Sequence, residues 1–230
     1  MSNVLITGAN RGIGLELARC YAGNGDTVFA CCRSPEEASD LIALKNEHDN
    51  NVQIFPLDVT DPDSISGLKA ILDEMPIDIL INNAGIIGPE NQSTWNMDFD
   101  GFIETLNINT LSPLRILQAF LDNLKASTSP KAITISSRMG SFTSTNTNQI
   151  AYRASKAAVN RVMFAAAADL KKDGITVAVM HPGWVRTDMG GPGADISPTQ
   201  SGAGLFKVIE NLQIYNSGGY FDWDGSDIKW

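Results

Sequence analysis

Apolar residues along the chain fall into short runs separated by longer stretches of helical period. The runs lie at 4–6, 27–30, 52–55, 77–81, 132–135, 175–180 and 219–221. They are bounded by polar segments, the pattern expected of strands. Between them, 11–24, 35–48, 62–74, 98–125, 149–173 and 198–211 read as helices. Short strands alternating with helices predict parallel βαβ units with right-handed crossovers. Strands apolar at nearly every residue predict cover on both faces, since neither face is left for water. The expected architecture is an α/β fold: a seven-stranded parallel sheet with helices on both faces.

No internal repeat or low-complexity linker interrupts the alternation. The one shift in composition, Gly190-Gly-Pro-Gly-Ala-Asp-Ile-Ser-Pro198, is dense in turn formers but is followed by a helix and a strand. It predicts a loop and not a boundary. Residues 1–230 are therefore expected to form one domain, long enough to bury a full core, with a short loop near 188–200. The chain enters a strand pattern at once, without the layout of a secretion signal. No apolar run approaches the roughly 18 residues of a membrane span. A cytoplasmic protein is expected.

Three cysteines, Cys20, Cys31 and Cys32, form an odd set without CxxC spacing. Adjacent strand residues point to opposite faces, so Cys31 and Cys32 predict buried thiols and no disulfide. His48 and His181 are far apart and have no carboxylate cluster beside them, so no metal site is expected. The formal net charge of -9 disfavours nucleic acid and anionic membranes as partners. An anionic ligand would have to meet local positive groups.

Such groups surround the first turn. Thr7-Gly-Ala-Asn-Arg-Gly-Ile-Gly14 sits between the first strand and the first helix. Gly8 permits a tight turn, while Gly12 and Gly14 let backbone and helix approach a pyrophosphate at the helix N-terminus. The Gly-x-x-x-Gly-x-Gly spacing differs from the commoner Gly-x-Gly-x-x-Gly, and alone it could be a plain structural turn. Arg33 ends the second strand where an acidic residue would accept from a ribose 2′-hydroxyl, and Arg11 lies inside the turn. Two guanidiniums suit a 2′-phosphate, favouring NADP(H) over NAD(H), although either could be a solvated surface charge. Asp58 ends the third strand, where it could meet an adenine amino group or cap the helix beginning near Pro62. Asn82-Asn-Ala-Gly85 closes the fourth strand with small residues that permit close approach of a ligand.

Tyr152 and Lys156 supply candidate chemistry. At spacing i, i+4 they share one helix face. An ammonium beside a phenol is expected to lower the Tyr pKa from about 10 toward working pH. A tyrosine so tuned can act as general acid or base on an alcohol or carbonyl oxygen. Such pairs also occur on many solvated helices; the nucleotide-binding turn upstream gives this one meaning.

Taken in order, the glycine-rich turn, Asp58, Asn82-Asn-Ala-Gly85, Asn109, Ile135-Ser-Ser137, Tyr152-x-x-x-Lys156 and Pro182-Gly183 resemble the classical short-chain dehydrogenase/reductase family over essentially the whole chain. Within it the chain is most similar to the C-factor and sniffer group of carbonyl-reductase-like proteins. The resemblance implies a Rossmann-type doubly wound sheet and a catalytic set of Asn109, Ser137, Tyr152 and Lys156, with Ser136 as the fallback for the serine. Ser137 would bond the substrate oxygen, Tyr152 would donate the proton, Lys156 would bind the ribose, and Asn109 would hold a relay water. It implies cofactor contacts from Gly8, Asn10, Arg11, Gly12, Ile13, Gly14, Arg33, Asp58, Val59, Asn82, Ala84, Gly85, Tyr152, Lys156, Pro182, Gly183, Val185 and Thr187.

The loop after Thr187 is short and offers Trp184, Met189 and Ile196 as apolar contacts, with ordinary packing the alternative for each. A small carbonyl or alcohol substrate follows. The family pairs the helices near 98–125 and 149–173 between subunits, so a homodimer is expected, with a homotetramer as the alternative. The C-factor resemblance keeps a second function open: an NAD(P)-binding signalling protein with little turnover.

Overall fold

The computed structural model describes residues 1–143 and 146–230. Ser144 and Thr145, in the polar stretch 143–149 that precedes the Tyr152 helix, lie outside the described residues. Seven strands form one sheet: β1 (Asn3–Thr7), β2 (Thr27–Cys32), β3 (Val52–Pro56), β4 (Ile79–Asn82), β5 (Lys131–Ile135), β6 (Thr176–His181) and β7 (Tyr220–Asp222). Their spatial order is β3-β2-β1-β4-β5-β6-β7, and every pairing is parallel. The order reverses between β1 and β4. At such a switch point the crossovers leave in opposite directions and a crevice opens beyond the carboxyl ends of the strands.

The helices are α1 (Gly12–Gly23), α2 (Ser39–Glu47), α3 (Pro62–Leu72), α4 (Phe99–Leu106), α5 (Ser112–Ala119), α6 (Leu121–Lys125), α7 (Ile150–Leu170) and α8 (Pro198–Asn211). Alternation along each strand sorts the core into two layers. Val4, Ile6, Val28, Ala30 and Cys32 pack with Leu17 and Tyr21 of α1, Leu41 of α2 and Leu205 of α8. Leu5, Phe29, Cys31 and Leu80 pack on the other face with Leu68 of α3, Ile116 of α5 and Met163 of α7. Leu5 and Ile6 are neighbours buried on opposite faces, each stabilising the fold by about 2 kcal/mol. Cys31 and Cys32 divide between the layers as expected; all three thiols are free, with Cys20 only half-buried.

The helix expected over 98–125 is broken. Between α4 and α5 the chain widens into a π-turn, Asn107–Leu111, and a second break at Phe120 separates α5 from α6. Pro113 is the physical reason for the first break. It has no N–H to give the Asn109 carbonyl four residues back, and its ring crowds the preceding turn. The break lies where Asn109 faces the carboxyl ends of the strands, and such π-bulges are frequent at functional sites.

Candidate active site

The glycine turn is held by contacts too close for side chains. Gly8 and Gly12 adopt left-handed φ values of 65° and 55°. A Cβ on Gly14 would lie 2.3 Å from the Gly8 carbonyl oxygen and 2.5 Å from Asn83 Nδ2. Thr7 Oγ1 accepts from the backbone N–H of Asn83 (3.0 Å) and Ala84 (3.1 Å). Asn83 Nδ2 in turn donates to the Thr7 and Gly8 carbonyls at 3.0 and 2.9 Å. These bonds staple the turn to the end of β4. Sequence reasoning gave Thr7 and Asn83 no role, although the doubled asparagine was a signal. Asn82 is buried and donates to the Pro113 carbonyl, so only its neighbour is free to reach back to the turn.

No side chain caps the N-terminus of α1, whose N-cap is Arg11. Its first N–H groups therefore face the cradle without an acceptor from their own cap residue, which suits a pyrophosphate. Asn10 and Ile13 flank the turn half-exposed. Arg11 is exposed and reaches across to the late loop, where its Nη1 meets Asp188 Oδ2 at 2.7 Å. Arg33 is exposed at the end of β2.

Asp58 does not cap α3; Asp61 does, accepting from Asp63 N–H. Asp58 Oδ1 instead accepts from the Thr60 hydroxyl (2.7 Å) and the Thr60 N–H (2.8 Å). The Thr60 side chain, then its backbone N–H, hold the Asp58 carboxyl below its ordinary range. Val59, the residue between them, packs partly buried against the second core layer.

Tyr152 and Lys156 are buried on one face of α7, with the ammonium 5.7 Å from the centre of the phenol ring. Lys156 Nζ donates to the Ile135 carbonyl at the end of β5, 2.9 Å away. Burial lowers the Lys156 pKa to about 8. Burial also raises the Tyr152 phenol, with the Ser137 hydroxyl beside it working in the opposite direction. The expected lowering of the tyrosine is thus not what the protein's own groups produce. Desolvation of a phenolate outweighs an ammonium that is itself desolvated and turned toward a carbonyl.

The two serines separate cleanly. Ser136 Oγ donates to Asn160 Oδ1 in the interior, whereas Ser137 faces Tyr152. Tyr220 of β7 braces this strand end by donating its hydroxyl to the Ser137 carbonyl. Asn109 is drawn to the same place, but its side chain is committed. Oδ1 accepts from Ile86 N–H at 2.9 Å, and Nδ2 donates to the Ile86 carbonyl (2.8 Å) and Ser155 Oγ (3.0 Å). Both amide hydrogens are used, so a relay through Asn109 would run through its remaining oxygen lone pairs. A Cβ on Gly85 would lie 3.1 Å from Asn109 Oδ1 and 3.7 Å from Lys156 Nζ; the missing side chain keeps that corner open.

Beyond β6, Pro182 accepts from Ser201 Oγ at 2.6 Å. Gly183 has φ 85°, and a Cβ there would lie 2.5 Å from Ile196 Cδ1. Val185 is buried and bridges to Ile196, and Thr187 Oγ1 accepts from the Gly190 N–H at 3.2 Å. A Cβ on Gly12 would lie 3.3 Å from Thr187 Cγ2, so the late loop touches the glycine turn. Trp184 is not ordinary packing: it is 54% exposed, with its indole N–H donating to the Gly190 carbonyl. Met189 is also exposed. Among the described residues no group of histidines, cysteines and carboxylates could hold a metal, and no helix is long and apolar enough to cross a membrane.

The site therefore combines a glycine turn at an uncapped helix N-terminus with a buried Tyr–Lys pair, and the chain that builds it is similar to known proteins. Residues 2–195 match the family model for short chain dehydrogenase. The C-signal protein of Myxococcus xanthus is 38% identical over 160 residues, covering 67% of this chain and 93% of that one. The NADPH-bound carbonyl reductase from chicken fatty liver superposes with a TM-score of 0.92 at 35% identity, covering 100% of this chain and 99% of that one. The carbonyl reductase Sniffer of D. melanogaster gives 0.90 at 31% identity, with both chains covered completely. By its fold and by these matches, the chain belongs to the short-chain dehydrogenase/reductase family of oxidoreductases, with C-signal and Sniffer among its relatives.

Proposed function

We propose that the protein is an NADP(H)-dependent carbonyl reductase, or alcohol dehydrogenase in the reverse direction, working as one unit over residues 1–230. The observation that carries this reading is the buried Tyr152–Lys156 pair facing Ser137, beside a glycine cradle that a single Cβ would fill. Gly8, Gly12 and Gly14 would hold the pyrophosphate, Arg11 and Arg33 the 2′-phosphate, and Thr187 the nicotinamide end. When bound, the nicotinamide exchanges hydride with the substrate carbon. Ser137 donates a hydrogen bond to the substrate oxygen and stabilises the charge developing there. Tyr152, neutral at working pH, gives that oxygen its proton in reduction and takes it back in oxidation. Lys156 stands behind the phenol and stabilises the phenolate left by the transfer.

Phe99, Ile103, Leu111 and Phe164 lie exposed on the α4–α5 stretch and α7, which supports a homodimer built on these helices. The likeness to C-signal supports a second reading, in which cofactor occupancy governs binding to another protein and turnover is slight.

Titration with NADPH and NADH, followed by NADPH oxidation against a panel of aldehydes and ketones, tests the proposal. NADPH-selective binding with turnover is expected, and Tyr152→Phe should lower kcat about a thousandfold while leaving NADPH affinity in place. Binding without turnover favours the signalling reading, and absence of binding removes the cradle assignment.

A further inference from the structure

We propose that Gln92, in the loop between β4 and α4, is the positioning residue that sets Tyr152 in place; this rests on the reading of Tyr152 as acid and base. Gln92 is buried, at 7% exposure, and every polar atom of its side chain is used. Oε1 accepts from the Tyr152 backbone N–H at 3.0 Å. Nε2 donates to the Ile87 carbonyl (3.0 Å) and the Pro89 carbonyl (2.7 Å). Its own backbone carbonyl accepts from Ile150 N–H at 3.1 Å.

The need for this arrangement lies at the start of α7. The N-cap residue, Gln149, is left-handed (φ 54°) and supplies no side-chain cap. The first N–H groups of a helix have no partner within it. Here two of them, Ile150 and Tyr152, are satisfied by one residue 60 positions before the tyrosine. Lys156 is anchored independently, by the Ile135 carbonyl at the end of β5. The Tyr–Lys relation therefore depends on two separate anchors, and Gln92 is the one for tyrosine. Losing it would strand a buried N–H and two carbonyls, freeing the first turn of α7 to shift against a fixed lysine.

Two variants and Tyr152→Phe as reference test this. Gln92→Met keeps length but makes no hydrogen bond; Gln92→Glu keeps the acceptor for Tyr152 N–H and loses the donors. In alcohol oxidation the phenolate is the active form, so rate rises with pH through the Tyr152 pKa. The hydrogen bond to Ser137 works to hold the Tyr152 pKa down, so a tyrosine displaced from it titrates higher, and in Gln92→Met this limb should move to higher pH. Plateau kcat should fall about tenfold or more, with NADPH affinity within about twofold of wild type. Gln92→Glu should recover part of that loss, because it keeps the acceptor that holds the turn while leaving the Ile87 and Pro89 carbonyls without a donor.

Amide hydrogen exchange at Tyr152, measured without cofactor, should speed up in the Met variant and stay protected in the Glu variant. A Met variant with lowered Tm but unmoved kcat and pH limb overturns the proposal, as does equal loss of kcat in both variants with Tyr152 exchange unchanged. If Tyr152→Phe itself turns over normally, the reductase reading fails instead, and exchange at Tyr152 still decides whether Gln92 holds the helix.

Discussion

The two ends of the crevice are held by different means. At the proposed cofactor end, the side chains of Thr7 and Asn83 lock onto the backbone around Gly8 and Gly14, and the two glycines tolerate almost no added atom. At the proposed substrate end, Trp184 and Met189 are exposed, and the polar link back to the turn is an ion pair between two exposed side chains, Arg11 and Asp188, beside the approach of Thr187 to Gly12. A cofactor shared by many enzymes can be met by a rigid, side-chain-free surface. A substrate peculiar to one enzyme has to be met by side chains on a loop. Tyr152 and Lys156 lie between, buried like the first end but chemically costly like neither.

Gly14→Ala should break the cofactor end most severely. Its Cβ would press on the Gly8 carbonyl and on Asn83, and backbone cannot yield as a flexible side chain does. A cost of about 3 kcal/mol in unfolding free energy is expected, together with loss of measurable NADPH binding. Chemical denaturation and NADPH fluorescence titration check both. A variant of wild-type stability that still bound NADPH would mean the two ends do not differ as described.

Lys156→Met probes the middle, and its effect on stability should have the opposite sign. The folded protein holds this lysine at about 8, below its ordinary 10.5, because charge is costly where it is buried. Below pH 8 both folded and unfolded chains carry the proton and the fold bears the full cost. Between pH 8 and 10.5 the folded lysine has lost its proton while the unfolded one keeps it, so the cost fades as pH rises. Removing the ammonium should stabilise the protein by about 2 kcal/mol at pH 7, after allowing for the Ile135 carbonyl left without its donor. The gain should vanish toward pH 10.5. Urea unfolding at both pH values checks the sign, and turnover should be lost at either.

The same contrast explains what could be read from the sequence. The succession of strands and helices, two-sided burial and the glycine turn were legible because each rests on a local pattern: apolar runs, alternation, a residue without Cβ. Boundaries moved by a residue or two where the period changes gradually, as at β4, which runs from Ile79 to Asn82. The break at Asn107–Leu111 hid inside an otherwise continuous helical pattern, and only Pro113 hinted at it. Gln92 had no local signal for its link to the helix, since Tyr152 is 60 residues away and an isolated glutamine in a loop reads as solvated. The raised Tyr152 pKa depended on burial from several elements, which spacing on one helix does not reveal.

The smallest expected effect lies at the substrate end. Asp188→Asn removes the Arg11 ion pair, in which both side chains are more than 70% exposed. Exposed pairs contribute little, so unfolding free energy should change by no more than about 0.5 kcal/mol. The cofactor should feel it more. With Asp188 neutral, the Arg11 guanidinium no longer divides its hydrogen bonds between a carboxylate and a 2′-phosphate. NADPH affinity should rise by about threefold, a gain that shrinks as added salt screens the charges. NADH lacks the 2′-phosphate and should gain less. A titration of both cofactors at low and high salt separates the outcomes: an NADPH-selective, salt-sensitive gain ties the late loop to the glycine turn through Arg11. An equal gain for both cofactors would mean that Asp188 acts only by adding to a protein already at net charge -9.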